Sequence, residues 1–253
     1  MDTLLEFALV GFFAQLVDGS LGMGFGVISS AVLLANGVPP PLVSASVNAA
    51  KLPTGATAAL SNLYHKNIDW QIVTALAIFG SIGGVLGASV LAGLKGPALQ
   101  YLVNSYLLLI GGYIIYRGIT GITPRLIKPN RFRLIGFAGG TIEGIGGSWG
   151  PIVNTGLLGS GVHSRYAIGS TNFSEFIVSA VVLAALTLAF HLGLWGAEIE
   201  WSAVYVSVAG LALGGLPAAF FGGWLAKRAP RQPLTIAVGI FALGVGIYRF
   251  ATM

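Results

Sequence analysis

Eight long apolar stretches, separated by short polar segments, restrict the fold of this chain more than any other feature. They cover residues 3–36, 42–64, 70–93, 97–119, 132–160, 164–192, 202–226 and 231–252. A helix of about 20 apolar residues is long enough to cross a bilayer. Charged residues make up 8% of the chain, too few to cover the surface of a water-soluble fold. The sequence therefore predicts an all-α, multi-pass protein of the cell membrane that is surrounded by lipid.

Glycine interrupts two of these stretches, 3–36 and 132–160, near their middle. The first break reads Asp18-Gly19-Ser20-Leu21-Gly22-Met23-Gly24-Phe25-Gly26, and the second reads Glu143-Gly144-Ile145-Gly146-Gly147-Ser148-Trp149-Gly150-Pro151. Glycine costs about 1 kcal/mol per residue in a helix interior, so both helices are expected to stop there. Irregular backbone is tolerated at membrane depth only where it is buried in protein or lines a cavity. Both breaks are therefore expected to be buried in protein or to line a cavity.

The two breaks belong to an internal repeat. An offset of 124 residues places Gly22 on Gly146, Gly26 on Gly150, Asn48 on Asn172 and Lys51 on Glu175. After a seven-residue insertion the offset is 131, which places Gly83-Gly84 on Gly214-Gly215. We therefore predict two homologous four-segment halves, residues 1–122 and 131–253, joined by a basic cytoplasmic linker at 123–130.

Lysine and arginine positions discriminate between two topologies. If all eight stretches cross the membrane, the Lys and Arg residues divide into 7 and 5. If 3–36 and 132–160 are instead re-entrant, 10 lie on one side and 2 on the other. The positive-inside rule favours the re-entrant arrangement, with loops 117–133 and 227–231 cytoplasmic. Three crossings per half make the repeats inverted, which is typical of secondary transporters. Eight ordinary crossings remain the alternative.

A helix that restarts inside the membrane offers free N–H groups and the positive end of its dipole to an anion. Ser148 is a candidate cap for such a helix and Pro151 a candidate first-turn residue. The alternative is that the glycines only allow helices to cross closely. The candidate binding residues at the breaks are Ser20, Gly22, Gly24, Gly26, Gly146, Gly147, Ser148, Trp149 and Gly150.

Polar residues in the stretch that follows each break extend the candidate site. Asn48 and Lys51 are three residues apart, so they share a helix face, and Asn172 is the repeat equivalent of Asn48. Lys51 can hold an anion as a point charge, and an asparagine amide can donate hydrogen bonds to it. The alternative is an internal ion pair of Lys51 with Glu175 or Asp18.

Three acidic residues lie in or beside these segments: Asp18, Glu143 and Glu175. Ionisable groups inside a membrane are expensive and usually functional, so these carboxylates are candidates for coupling substrate movement to a proton. Helix capping or helix pairing is the competing interpretation.

Several activities are excluded by residues that the chain lacks or places apart. It has no cysteine and three histidines without ligand spacing, so we predict no metal, no cofactor and no enzymatic activity. The lack of a GxxxxGK[ST] motif argues against transport driven directly by ATP. The basic residues lie between apolar stretches, which argues against nucleic acid as a partner. An anion channel remains an alternative, as does, with less support, a membrane-embedded enzyme or assembly factor.

The paired motifs resemble those of the TauE/SafE family of sulfite exporters. Each glycine-rich break is followed, about twenty residues later, by a Ser-x-Asn element, Ser46-Val47-Asn48 and Ser170-Thr171-Asn172. The resemblance adds Ser170 to the candidate binding residues. It implies a secondary transporter for a small sulfur-containing anion, such as sulfite, thiosulfate or an organosulfonate like sulfoacetate. Transport in this family is often outward.

Overall fold

A computed structural model describes residues 2–121, 131–195, 201–225 and 230–253. These residues form helices and no strand, which confirms the all-α class. The predicted linker 123–130 and residues 227–229 of the predicted loop 227–231 lie outside the described residues. The helices are α1 (Asp2–Leu21), α2 (Phe25–Ala35), α3 (Pro40–Tyr64), α4 (Trp70–Gly93), α5 (Gly96–Thr120), α6 (Arg131–Gly146), α7 (Trp149–Gly159), α8 (Ser164–His191), α9 (Trp201–Leu225) and α10 (Arg231–Ala251).

Five of the described helices are long and apolar enough to cross a membrane: α1, α4, α5, α8 and α10. The 25-residue α3 is also long but carries a polar face that includes Ser44, Asn48 and Lys51, all of them buried. Burial inside the bundle removes these polar side chains from lipid. The polar character of α3 therefore marks it as an internal helix, around which the apolar helices pack.

Both predicted breaks are present, and each separates a long helix from a short one. α1 has 20 residues and α2 has 11, while α6 has 16 and α7 has 11. Gly24 has a φ of 149° and lies against Val17 and Asp18. Seven residues of continuous helix would separate Gly24 from Val17 by about 10 Å, so the chain turns sharply here. The sequence analysis placed each break near the middle of its stretch. In the structure each break lies closer to the carboxyl end of the stretch, because the first helix is longer than the second.

The first helix of each half packs along a helix of the other half. α1 lies along α9, and α6 lies along α4. A Cβ atom added to Gly140 would overlap the carbonyl oxygen of Gly80, and one added to Gly214 would overlap that of Ala8. Small residues at these contacts allow the helices to approach closely, as is usual between membrane helices. The two halves therefore interlock through these helix pairs. Their boundaries, 1–122 and 131–253, remain a prediction from the sequence repeat.

Candidate functional site

The two helix breaks cross each other at the centre of the contact between the halves. A Cβ atom at Gly26 would overlap the carbonyl oxygen of Gly147, and one at Gly150 would lie 2.6 Å from that of Gly22. Gly26 and Gly150 are related by the same offset of 124 residues that defines the repeat. Only residues without side chains allow two backbones to approach this closely. The glycines of the breaks therefore allow the two halves to cross closely.

At each break, a side chain from the other half donates a hydrogen bond to a backbone carbonyl at the end of the first helix. The Ser30 hydroxyl donates to the carbonyl oxygen of Gly146 at 2.5 Å, at the end of α6. The Asn154 amide donates to the carbonyl oxygen of Leu21 at 3.1 Å, at the end of α1. The last carbonyls of a helix lack partners within it, so these bonds satisfy groups that would otherwise be costly to bury. Ser30 and Asn154 are repeat equivalents, and the sequence analysis missed both, although the 124-residue offset pairs them.

Lys51 lies beside this crossing and makes both ion pairs found among the described residues. Its Nζ donates to Glu143 at 2.9 Å (Oε1) and 3.1 Å (Oε2), to Glu175 Oε1 at 2.8 Å and to the carbonyl oxygen of Gly147 at 2.6 Å. The exposed fraction of the side chain is 7% for Lys51, 0% for Glu143 and 17% for Glu175. The internal ion pair that the sequence allowed between Lys51 and Glu175 is present, and Glu143 joins it from α6.

Glu143 and Asp18 hold different positions around Lys51. Glu143 is fully buried behind the lysine and also accepts a hydrogen bond from Ser179 at 3.0 Å. Asp18 is half-buried, and its Oδ1 accepts from the backbone N–H of Phe25 at 3.3 Å, at the first residue of α2. A carboxylate of the chain thus occupies the N-terminus of α2, the position that the sequence analysis gave to a substrate anion.

A cavity of about 430 Å³ opens beside Lys51, within the range usual for sites of small ligands. It lies between α1, α3 and α8, with single contributions from α2 and α9. The lining residues are Gln15, Asp18, Gly19, Gly22, Phe25, Lys51, Thr54, Gly55, Thr57, Ala58, Ser61, Asn62, Ile168, Asn172, Glu175, Phe176 and Ala219.

Five residues singled out in the sequence line this cavity: Asp18, Gly22, Lys51, Asn172 and Glu175. The other candidates surround it without lining it. Asn48 is fully buried and its Nδ2 donates to the carbonyl oxygen of Ser44 at 2.8 Å. The hydroxyl of Ser20 donates to the carbonyl oxygen of Leu16 at 2.6 Å. Ser170 accepts from the backbone N–H of Asp69 at 3.0 Å. Gly26, Gly147 and Gly150 form the crossing itself, whereas Gly24 lies against Val17 and Gly146 lies against Tyr106.

The expected capping role of Ser148 is wrong. Ser148 does occupy the residue before α7, but its side chain makes no capping bond. Its hydroxyl is instead hydrogen-bonded to the phenolic hydroxyl of Tyr106 on α5, which draws it away from the helix terminus. Trp149 is fully buried, and its indole N–H donates to the carbonyl oxygen of Thr171 at 3.3 Å, so it fastens α7 to α8.

One wall of the cavity is formed by α3 residues that were not among those singled out in the sequence. Thr54, Thr57, Ala58, Ser61 and Asn62 follow one another at the spacing of a single helix face. This stripe of small and polar residues was a readable signal in an otherwise apolar stretch. No group of three acidic, histidine or cysteine side chains suited to a metal occurs among the described residues.

Comparison with known proteins decides the family. The profile of the sulfite exporter family TauE/SafE matches residues 7–249. The chain belongs to the TauE/SafE family. TauE/SafE proteins are membrane transporters, and the apolar helices of this chain agree with that assignment.

Two relatives from Bacillus subtilis (strain 168) match over most of their length. The probable membrane transporter protein YtnM is 36% identical over 254 residues, covering 96% of this chain and 81% of YtnM. The probable membrane transporter protein YjnA is 26% identical over 253 residues, covering 94% of this chain and 96% of YjnA. No solved structure matches the chain.

Proposed function

We propose that this TauE/SafE protein is a secondary transporter of the cell membrane that carries a small sulfur-containing anion outward. The substrate class is sulfite, thiosulfate or an organosulfonate such as sulfoacetate, in line with the sulfite after which the family is named. One observation carries the proposal: Lys51 faces the cavity at the crossing of the two breaks, held by carboxylates on both sides. A buried cation beside a cavity is the simplest binding group for an anion.

The Glu175 carboxylate marks the place that a substrate anion would take. Its Oε1 lies 2.8 Å from Lys51 Nζ, on the cavity side of the lysine, whereas Glu143 holds the lysine from the buried side. A proton transferred to Glu175 removes its negative charge and frees one face of Lys51 for a substrate oxyanion. One negative charge replaces another, so the charge of the site is conserved. This exchange would couple anion and proton movement, with Asp18 as a second proton carrier in the same cavity.

The inverted arrangement of the two halves is part of this proposal, and one contact supports it. The Arg165 guanidinium, at the start of α8, donates to the carbonyl oxygen of Lys66 at 3.0 Å, after the end of α3. Eight ordinary crossings would place Lys66 and Arg165 on opposite sides of the membrane, whereas re-entrant breaks place them on the same side. The cavity reaches Ser61 and Asn62 near that end of α3, so in this conformation it would receive substrate from the basic, cytoplasmic side.

Flux of labelled anions into liposomes that contain the purified protein tests the proposal. Sulfite, thiosulfate, sulfoacetate, sulfate and chloride form the panel, with and without an imposed pH gradient. We expect accumulation of at least one sulfur anion against its gradient, driven by the pH difference. Movement only down the concentration gradient would indicate a channel, and no movement of any sulfur anion would refute the proposal.

Two asparagine variants locate the site. Asn172 lines the cavity and its repeat equivalent Asn48 does not, so the same substitution to alanine is compared at both positions. We expect Asn172→Ala to raise the half-saturating anion concentration more than Asn48→Ala, by about tenfold if one charge-assisted hydrogen bond is lost. A larger effect at Asn48 would place the site elsewhere.

A further inference from the structure

The charges around the cavity do not balance, and this imbalance bears on the substrate. Asp18, Glu143 and Glu175 surround Lys51, and all four groups interact electrostatically. If all four are ionised, three carboxylates face one ammonium group, which leaves two formal negative charges. Lys51 is the only cation among the lining residues that the structure describes. In that state, a simple anion that enters this cavity meets a net negative environment.

The excess negative charge is directed into the cavity and not into the protein core. Glu143 is enclosed, with Lys51 and Ser179 as its partners, and does not line the cavity. Asp18 and Glu175 do line it, and both keep lone pairs without a partner. The only hydrogen bond to the Asp18 carboxylate from the described residues is the 3.3 Å bond from the Phe25 N–H, although an ionised carboxylate can accept about four. The cavity therefore offers one cationic group and two anionic groups to its contents.

We infer that the cavity selects zwitterions, namely compounds that carry an ammonium group together with a sulfur oxyanion. This inference rests on the proposed function and narrows its substrate class. The oxyanion would lie at Lys51, and the ammonium group would donate to Asp18 and Glu175. Phe25 and Phe176 line the same cavity and would contact the carbon linker between the two charged groups. The ammonium group of the substrate supplies the positive charge that a co-transported proton would supply for a simple anion.

A matched pair of sulfonates tests this inference in liposomes that contain the purified full-length protein. The pair is 2-aminoethanesulfonate, a zwitterion, and ethanesulfonate, which lacks only the amino group. We expect the zwitterion to enter at least about tenfold faster, the factor that one lost charge-assisted hydrogen bond predicts. Its flux should not respond to an imposed pH gradient, because the zwitterion needs no proton to balance the site.

Asp18→Asn should reduce the ratio of the two rates by about tenfold, because the ammonium group loses an anionic partner. The matched control is Glu6→Gln, which removes one exposed carboxylate from the same helix, about 18 Å before Asp18. Equal rates for the two sulfonates in the wild type, or an unchanged ratio in a folded Asp18→Asn protein, would overturn the inference.

A competition experiment and a comparison of substrates distinguish failure of this inference from failure of the proposed function. If Asp18→Asn does not fold, competition in the wild type replaces it: excess 2-aminoethanesulfonate should inhibit labelled sulfite flux more strongly than excess ethanesulfonate, and weaker inhibition would contradict the inference. If sulfite and ethanesulfonate move but the zwitterion does not, selection of zwitterions is wrong and the proposed transport of sulfur anions stands. If no sulfur compound moves, the proposed function fails as well.

Discussion

Replacing Lys51 by methionine removes the ammonium group and keeps an unbranched side chain only one atom shorter. Glu143 then remains fully buried with Ser179 as its one hydrogen-bond partner, because its contacts with Lys51 at 2.9 and 3.1 Å are lost. Removal of one partner from a buried ion pair typically costs about 3–5 kcal/mol, since the remaining charge has neither water nor a counter-ion. We therefore expect Lys51→Met to be strongly destabilised, independently of any role in transport.

The size of the effect can be expressed as a melting temperature. In chains of about this length, 1 kcal/mol corresponds to roughly 2–4 °C, so Lys51→Met should melt about 6–20 °C below the wild type. The second variant, Lys51→Met with Glu143→Gln, removes both charges and should recover more than half of this loss. It should still fail to transport anions, because the proposed binding group is absent.

Thermal unfolding of the purified protein in detergent measures these shifts, with Lys95→Met as the control. Lys95 is exposed at the residue before α5, so its replacement should change the free energy of unfolding by no more than about 0.5 kcal/mol. If Lys51→Met melts within 2 °C or so of the wild type, Glu143 does not depend on Lys51, and the reasoning from buried charge is wrong. An equally unstable double variant would show that Lys51 stabilises the fold through Gly147 or Glu175 instead.

Two further predictions concern packing and topology. Gly140→Ala places a Cβ atom against the carbonyl oxygen of Gly80 and should lower the free energy of unfolding by about 3 kcal/mol. The control Gly244→Ala, which has no atom nearby, should be neutral or slightly stabilising. Equal melting temperatures of the two variants would contradict the observed contact between α4 and α6. The chain has no cysteine, so a membrane-impermeant thiol reagent can report on single cysteines at Lys66, Lys95 and Arg165. Re-entrant breaks predict that positions 66 and 165 are labelled from the cytoplasmic side and 95 from the outside, and labelling of 66 and 165 from opposite sides would indicate eight crossings.

The positions of the helix breaks were predictable because glycine density is a local signal. The ion pair of Lys51 with Glu175 was one of two pairings, the other being with Asp18, that the sequence left open as an alternative to anion binding. The contact of Glu143 with Lys51 was not predicted, since no local pattern or repeat equivalence pairs these residues and the contact depends on how α6 packs against α3. The capping role of Ser148 was predicted wrongly for the same reason: its hydroxyl bonds to Tyr106, whose position depends on the packing of α5. Local pattern fixes where a helix ends, whereas the register between distant helices decides which side chains meet.

The interlocked packing of the two halves has a consequence for biosynthesis. α1 ends at Leu21, and α9, the helix along which it packs, begins at Trp201. The ribosome must add about 180 residues between them, which takes roughly 10–40 s at usual rates of synthesis. Until Asn154 is added, 133 residues after Leu21, the carbonyls of Leu21 and Gly22 also lack the side chain that satisfies them in the finished protein. The amino-terminal half therefore remains an incomplete bundle in the membrane until the second half has been synthesised. In this state we expect it to be accessible to insertases and to quality-control proteases.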